Sequence, residues 1–126
     1  MHKRVLVIDP LWNFYCNGLR GAFPELAFDG VAASAEAESF LAGAQIICAK
    51  TTPRIFNEAL LRQATQLEWI QAFTTGTDAV TRLATLRREV LLTSMRGIHG
   101  PQMAEMAMML MMALARDLPR HLRNQQ

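Results

Sequence analysis

The chain has 126 residues, 51% of them hydrophobic and 19% charged, with 13 Lys+Arg against 11 Asp+Glu and a formal net charge of +2. A chain of this length can build one hydrophobic core and bury roughly two-thirds of its unfolded surface, which excludes small scaffolds that depend on disulfides or a structural metal. The basic residues are dispersed, and no run of them interleaves with aromatics to make a nucleic-acid face.

Short β-rich runs alternate with helix-favouring runs, the rhythm of an α/β domain with a mainly parallel sheet. Lys3-Arg4 opens a first strand expected over residues 4–9, an apolar run too brief for a secretory leader. A helix is expected over 12–22, a strand over 26–30, a helix over 34–42 with Ser34 as its cap, and a strand over 45–49. Further on come a helix over 53–65 opened by Pro53, a strand over 69–74, a helix over 78–87 and a strand over 90–93. A long helix follows over 101–117, with Pro101 in its first turn, where a missing N–H costs nothing. Cys16 and Cys48 show neither C-x-x-C spacing nor a His cluster, so free thiols and no metal site are expected. The longest uncharged apolar stretch, 106–115, falls short of a membrane span, and the chain is expected to be soluble and cytoplasmic.

Five strands in this order suggest a flavodoxin-like, doubly wound, mainly parallel five-stranded sheet. Ligands of such sheets bind outside the carboxyl ends of the strands. The loops there read Asp9-Pro10-Leu11-Trp12, Lys50-Thr51-Thr52-Pro53, Thr74-Thr75-Gly76-Thr77-Asp78 and Ser94 through Pro101. The third is the most informative. It leaves a strand and enters a helix, so unpaired amides at a helix start are expected to attract an anion, with Gly76 leaving room and Thr77 or Asp78 capping the helix.

The long helix holds six of the eight methionines. Positions 103, 106, 107, 110 and 114 form one apolar stripe expected to pack on the sheet, while Glu105, Met109, Met112 and Arg116 form an opposite stripe whose middle is also apolar. Such a helix needs a cover on both sides, and self-association is expected to supply the second, with exchange of the helix between chains as one route.

Leu67-Glu68-Trp69-Ile70-Gln71 running into Thr75-Gly76-Thr77-Asp78, then Arg96-Gly97-Ile98-His99-Gly100-Pro101-Gln102-Met103-Ala104-Glu105 leading the apolar helix, resembles the D-isomer-specific 2-hydroxyacid dehydrogenases. The resemblance covers the entire chain and implies a substrate (catalytic) domain over 1–118. The stretch 119–126 would begin a connection to a nucleotide domain, and the long helix would be interdomain. It further implies that the amides of Gly76 and Thr77 hold a substrate carboxylate and that Thr75, Lys50 and Arg96 line the same cleft. Lys50 stands where members often have Arg, and an ammonium cannot grip a carboxylate in bidentate fashion. Gln102 and Met103 would lie near the nicotinamide end of NAD or NADP. The family's catalytic Arg, Glu and His would all fall past position 126, so no catalytic residue is expected in this chain. His99 is not assigned their role, and Glu105 is explained by its place near a helix start.

None of the seven glycines forms a G-x-G-x-x-G, so no dinucleotide fingerprint is present. By resemblance the parent enzyme would reduce a 2-oxo acid such as glyoxylate, hydroxypyruvate or phosphohydroxypyruvate, while the chain alone would be inactive. Its expected partners are the small acid, the nucleotide domain and a second copy through the methionine-rich helix. The rival reading is a stand-alone regulatory or receiver-type module. A receiver needs an acceptor Asp after the third strand, where this chain has Ala49-Lys50-Thr51-Thr52.

Overall fold

A computed structural model describes residues 2–125, which divide into two compact units, 2–95 and 96–125. The first holds five parallel strands, β1 (Lys3–Ile8), β2 (Leu26–Val31), β3 (Ile46–Ala49), β4 (Trp69–Ala72) and β5 (Leu91–Thr93), in the order β2-β1-β3-β4-β5. This is the flavodoxin-like order. Its helices are α1 (Trp12–Arg20), α2 (Glu38–Leu41), α3 (Glu58–Gln63) and α4 (Asp78–Thr81).

Strand order and crossover handedness together decide which face each helix covers. The chain steps one way from β1 to β2, then the other way for every later strand, so right-handed crossovers put α1 on one face and α2, α3 and α4 on the other. Side-chain alternation fills both layers. Leu6, Ile8, Ile47, Ile70 and Val80 pack with Leu41, Leu60, Leu61 and Phe56 on the three-helix face. Val5, Val7, Phe28 and Ile46 pack with Cys16 of α1 on the other. Each fully buried aliphatic or aromatic side chain contributes about 1.5–3 kcal/mol.

On the α1 face the register lines up two rows across all five strands, Phe28-Val5-Ile46-Trp69-Leu91 and Gly30-Val7-Cys48-Gln71-Thr93. Gly30 is where α1 comes closest. A Cβ there would lie 2.3 Å from the Trp12 ring. Arg20 in the last turn of α1 also donates to the Phe28 carbonyl at 3.0 Å.

The strands fall within a residue or two of the sequence expectation, whereas most helices are shorter. Ser34 does not cap a helix over 34–42; its hydroxyl donates to the Arg54 carbonyl at 3.0 Å, and the segment forms a 3-10 turn (Ser34–Glu36) before α2. Pro53 does not open α3, because the side chain of Asn57 accepts the Leu60 amide at 2.9 Å and starts the helix there. The helix expected over 78–87 stops at Thr81. The carboxylate of Glu58 accepts the amides of Ala84 and Thr85, at 2.9 and 3.1 Å, which would otherwise continue the helical ladder.

The second unit holds α5 (Gly100–Ala115) and α6 (Leu118–Arg123). Pro101 sits in the first turn of α5 as expected. The long helix ends early because Asp117 adopts a left-handed conformation, φ 49°, and turns the chain into α6, a helix the sequence reading omits. No residue of α5 is buried, and Met103, Met106, Leu110 and Leu114 are 67, 51, 51 and 73% exposed. No helix among the described residues is long and apolar enough to cross a membrane.

Replacing Gly30 by Ala is expected to lower stability by about 1–3 kcal/mol through overpacking against Trp12. Gly18→Ala, where a Cβ meets open space within α1, is expected to raise stability by about 0.4–1 kcal/mol. Chemical denaturation followed by circular dichroism measures both.

Candidate functional site

The strand order reverses at β1, which has β2 on one side and β3 on the other. Such a reversal opens a crevice at the carboxyl ends of the two strands. Ile8 and Ala49 are paired at those ends, so the next residues, Asp9 and Lys50, emerge side by side. Asp9 is buried. One carboxylate oxygen accepts the Leu11 amide at 2.9 Å and the other lies 3.3 Å from the Lys50 ammonium. Lys50 keeps an exposed side chain. An ammonium has three N–H donors, so the pairing with Asp9 leaves donors facing solvent at the switch point.

Thr51, also buried, ties this corner to the loop after β4. Its hydroxyl donates to the Gly76 carbonyl and contacts the Thr74 hydroxyl, which itself donates to the Gly76 carbonyl at 3.0 Å. The Thr75 hydroxyl donates to the Met95 carbonyl at 3.0 Å, and the Met95 amide donates to the Thr74 carbonyl at 3.3 Å. The loop is thereby pinned from both neighbouring strands.

This pinning sets the direction of one amide. In a trans peptide the carbonyl and the following N–H point opposite ways, and the chain contains no cis bonds among the described residues. With the Gly76 carbonyl held inward by Thr51 and Thr74, the Thr77 N–H is turned away from them. Among the described residues the amides of Thr75, Gly76 and Thr77 find no acceptor. Consecutive free amides on a fixed loop form an anion-binding concavity. A Cβ at Gly76 would meet nothing within 4 Å, and its φ lies outside the left-handed region. The fold therefore does not require glycine here, and what glycine provides is open access to the backbone.

Two expectations for this loop are corrected. Neither Thr77 nor Asp78 caps α4 through its side chain; the Thr77 carbonyl accepts the amides of Val80 and Thr81, at 2.9 and 3.1 Å. Nor is there a long helix to supply a dipole, since α4 is a single turn of four residues. What this corner presents to an anion is the free amides and the Lys50 ammonium. Arg96, Gln102 and Met103 belong to the second unit, where all three are exposed; Gln102 and Met103 lie in the first turn of α5. Nearby Gly97 has a φ of 81°, which favours glycine, and His99 is exposed at the start of α5.

The thiols of Cys16 and Cys48 are free. Burial pushes Cys48 up to about 12, with a smaller contribution from Cys16, so it stays protonated at neutral pH. Cys16 is also raised, again chiefly by burial. Sequence reasoning assigned no site role to Asp9 or Thr74. The signals were an acid placed directly after an apolar strand, and a second hydroxyl residue in register with Thr51.

No family model and no curated protein matches this chain. Among solved structures, it is similar to a D-isomer specific 2-hydroxyacid dehydrogenase family protein from Aeromonas salmonicida subsp. salmonicida A449, with a TM-score of 0.87 and 29% sequence identity. The likeness covers 99% of this chain and 39% of that one.

Lys50→Met strips buried Asp9 of its ion partner and is expected to cost about 1–3 kcal/mol in chemical denaturation. Adding Asp9→Asn is expected to recover most of that loss, because the two changes couple through one contact. Thr51→Val is expected to cost a similar amount and to broaden the amide resonances of residues 74–77 as the loop loses its inner anchor.

Proposed function

We propose that this chain is the substrate-side domain of a D-2-hydroxyacid dehydrogenase, and that its share of the chemistry is to seat the carboxylate of a small 2-oxo or 2-hydroxy acid. The observation that carries the reading is the set of free amides at Thr75, Gly76 and Thr77, on a loop whose central carbonyl is fixed by Thr51 and Thr74. The 0.87 TM-score match to a member of that family supports it from a separate direction.

In this reading the acid's carboxylate accepts from the Gly76 and Thr77 amides, and Lys50 adds positive charge beside it. Lys50 is already paired with Asp9, so it acts as a tethered point charge and not as a fork. By the family resemblance Thr75 and Arg96 would also serve the acid, and Gln102 and Met103 the cofactor. A nicotinamide dinucleotide, NAD or NADP, supplies the hydride when bound. These 126 residues contain no G-x-G-x-x-G to hold its diphosphate. The dinucleotide seat, the proton donor and the substrate-gripping Arg thus belong to sequence outside these residues, and α5 is the surface through which that nucleotide domain joins. Alone, the chain binds the acid weakly and turns nothing over. The compartment this reading implies is the cytoplasm.

Titration of the isotope-labelled chain with glyoxylate or oxalate is expected to move the amide signals of Gly76 and Thr77, with Gly76→Val abolishing the movement at unchanged stability. Absence of any shift at those two amides overturns the reading. So does oxidation of NADH by the purified chain in the presence of glyoxylate.

A further inference from the structure

Asp9 is a buried ionisable group that the seating of an acid does not use. Its side chain is 4% exposed, whereas that of its ion partner Lys50 is 54% exposed. The carboxylate makes two contacts, one oxygen accepting the Leu11 amide at 2.9 Å and the other lying 3.3 Å from the Lys50 ammonium. The first contact is an Asx turn, which asks only for a side-chain acceptor two residues before the amide. Asparagine supplies that acceptor as well as aspartate does. The turn therefore leaves the negative charge unexplained.

What the charge acts on is Lys50. This lysine directly precedes Thr51, whose hydroxyl fixes the Gly76 carbonyl. An ammonium with no acid beside it lends a full positive charge to whatever binds at its corner. A buried carboxylate 3.3 Å away is poorly screened by water and offsets most of that charge beyond the pair itself. An incoming ligand is left with N–H donors, those of the ammonium that Asp9 does not use and the amides of Thr75, Gly76 and Thr77. Arg54 and Asp78 are the next charged residues along the loops after β3 and β4; both are exposed and they are opposite in sign, so they add no net charge.

A corner rich in donors and balanced in charge discriminates between anions. It satisfies the two oxygens of one carboxylate through hydrogen bonds. A second anionic group on the same molecule gives up hydration there and meets no counter-charge in return. Selection of this kind works by withholding an attraction from the wrong ligand and not by adding a contact to the right one.

We propose that Asp9 is a specificity-determining residue: by offsetting Lys50 it favours acids that carry a single negative charge over dicarboxylates and phosphorylated acids. This role rests on the reading that Gly76 and Thr77 seat a carboxylate. It is exerted through Lys50, because Asp9 is too buried to touch the acid itself. Neutralising Asp9 hands the corner one elementary charge, and one charge acting on one extra anionic group a few ångströms away changes affinity about five- to tenfold.

Oxamate and oxalate match in size and shape and carry one and two negative charges at neutral pH, so titrating each against the amide signals of Gly76 and Thr77 isolates the effect of charge. In the unaltered chain the two are expected to bind about equally. Asp9→Asn, which keeps the acceptor for the Leu11 amide, is expected to raise the preference for oxalate about five- to tenfold, with the gain shrinking as salt is added. Adding Lys50→Met is expected to return the preference to that of the unaltered chain, a reversal that a purely turn-forming Asp9 does not produce. A preference unmoved by Asp9→Asn, or one that stays raised in the double variant, overturns the role of Asp9 and leaves the carboxylate seat standing. Should Asp9→Asn lose its native circular dichroism, the unaltered chain decides: oxalate favoured about fivefold or more overturns the role, and any smaller preference supports it. Absence of a shift with either acid in the unaltered chain overturns the seat and the role together.

Discussion

The buried carboxylate of Asp9 organises the working end of this molecule. It stands at the point where the strand order reverses, accepts the amide of Leu11 to turn the chain into α1, and holds the ammonium of Lys50 just past the end of the neighbouring strand β3. A buried acid is tolerated only when its oxygens are both bonded and opposed by positive charge, and here each oxygen has one such partner. From Lys50 the chain passes directly to Thr51, whose hydroxyl fixes the Gly76 carbonyl. Three loops from three strands are therefore held in one arrangement by side chains that a few adjacent positions supply.

That arrangement separates polar groups used internally from polar groups left free. Thr51, Thr74 and Asp9 are buried or half-buried and use their polar atoms internally, whereas Lys50 and the amides of Thr75, Gly76 and Thr77 keep free donors. Gly76 belongs to the second group, because neither its φ nor its surroundings demand a missing side chain. Gly30 belongs to the first, since the Trp12 ring occupies the space a Cβ would need. Two glycines in one small sheet thus answer to different constraints.

The sheet was legible because its evidence is local: short apolar runs punctuated by turns, with a reversal forced by their order. Helix lengths were less so, since they depend on long-range competitors. Glu58 takes two amides from 26 and 27 residues away and stops α4, and Arg54 draws the Ser34 hydroxyl from its cap. Neither contact has a signature in the segment it truncates. Of the site, the loop after β4 was legible from its Thr-Gly-Thr composition. The pairing of Asp9 with Lys50 was not, because it requires knowing that β1 and β3 are neighbours in register. The exposure of α5 was likewise invisible, as a helix apolar on all sides reads as buried until the surfaces around it are known.

The triad of Thr51, Thr74 and the Gly76 carbonyl also has a kinetic consequence. A loop whose peptide plane is locked before any ligand arrives has no ordering entropy left to lose at that peptide and no rearrangement to wait for. In the proposed acid-seating role, encounter with a small anion is then a matter of diffusion into an open corner. On that reading the complex would live only as long as a few amide contacts can hold it, so occupancy would follow concentration without lag. Slow release would have to come from whatever closes over the corner, not from the corner itself.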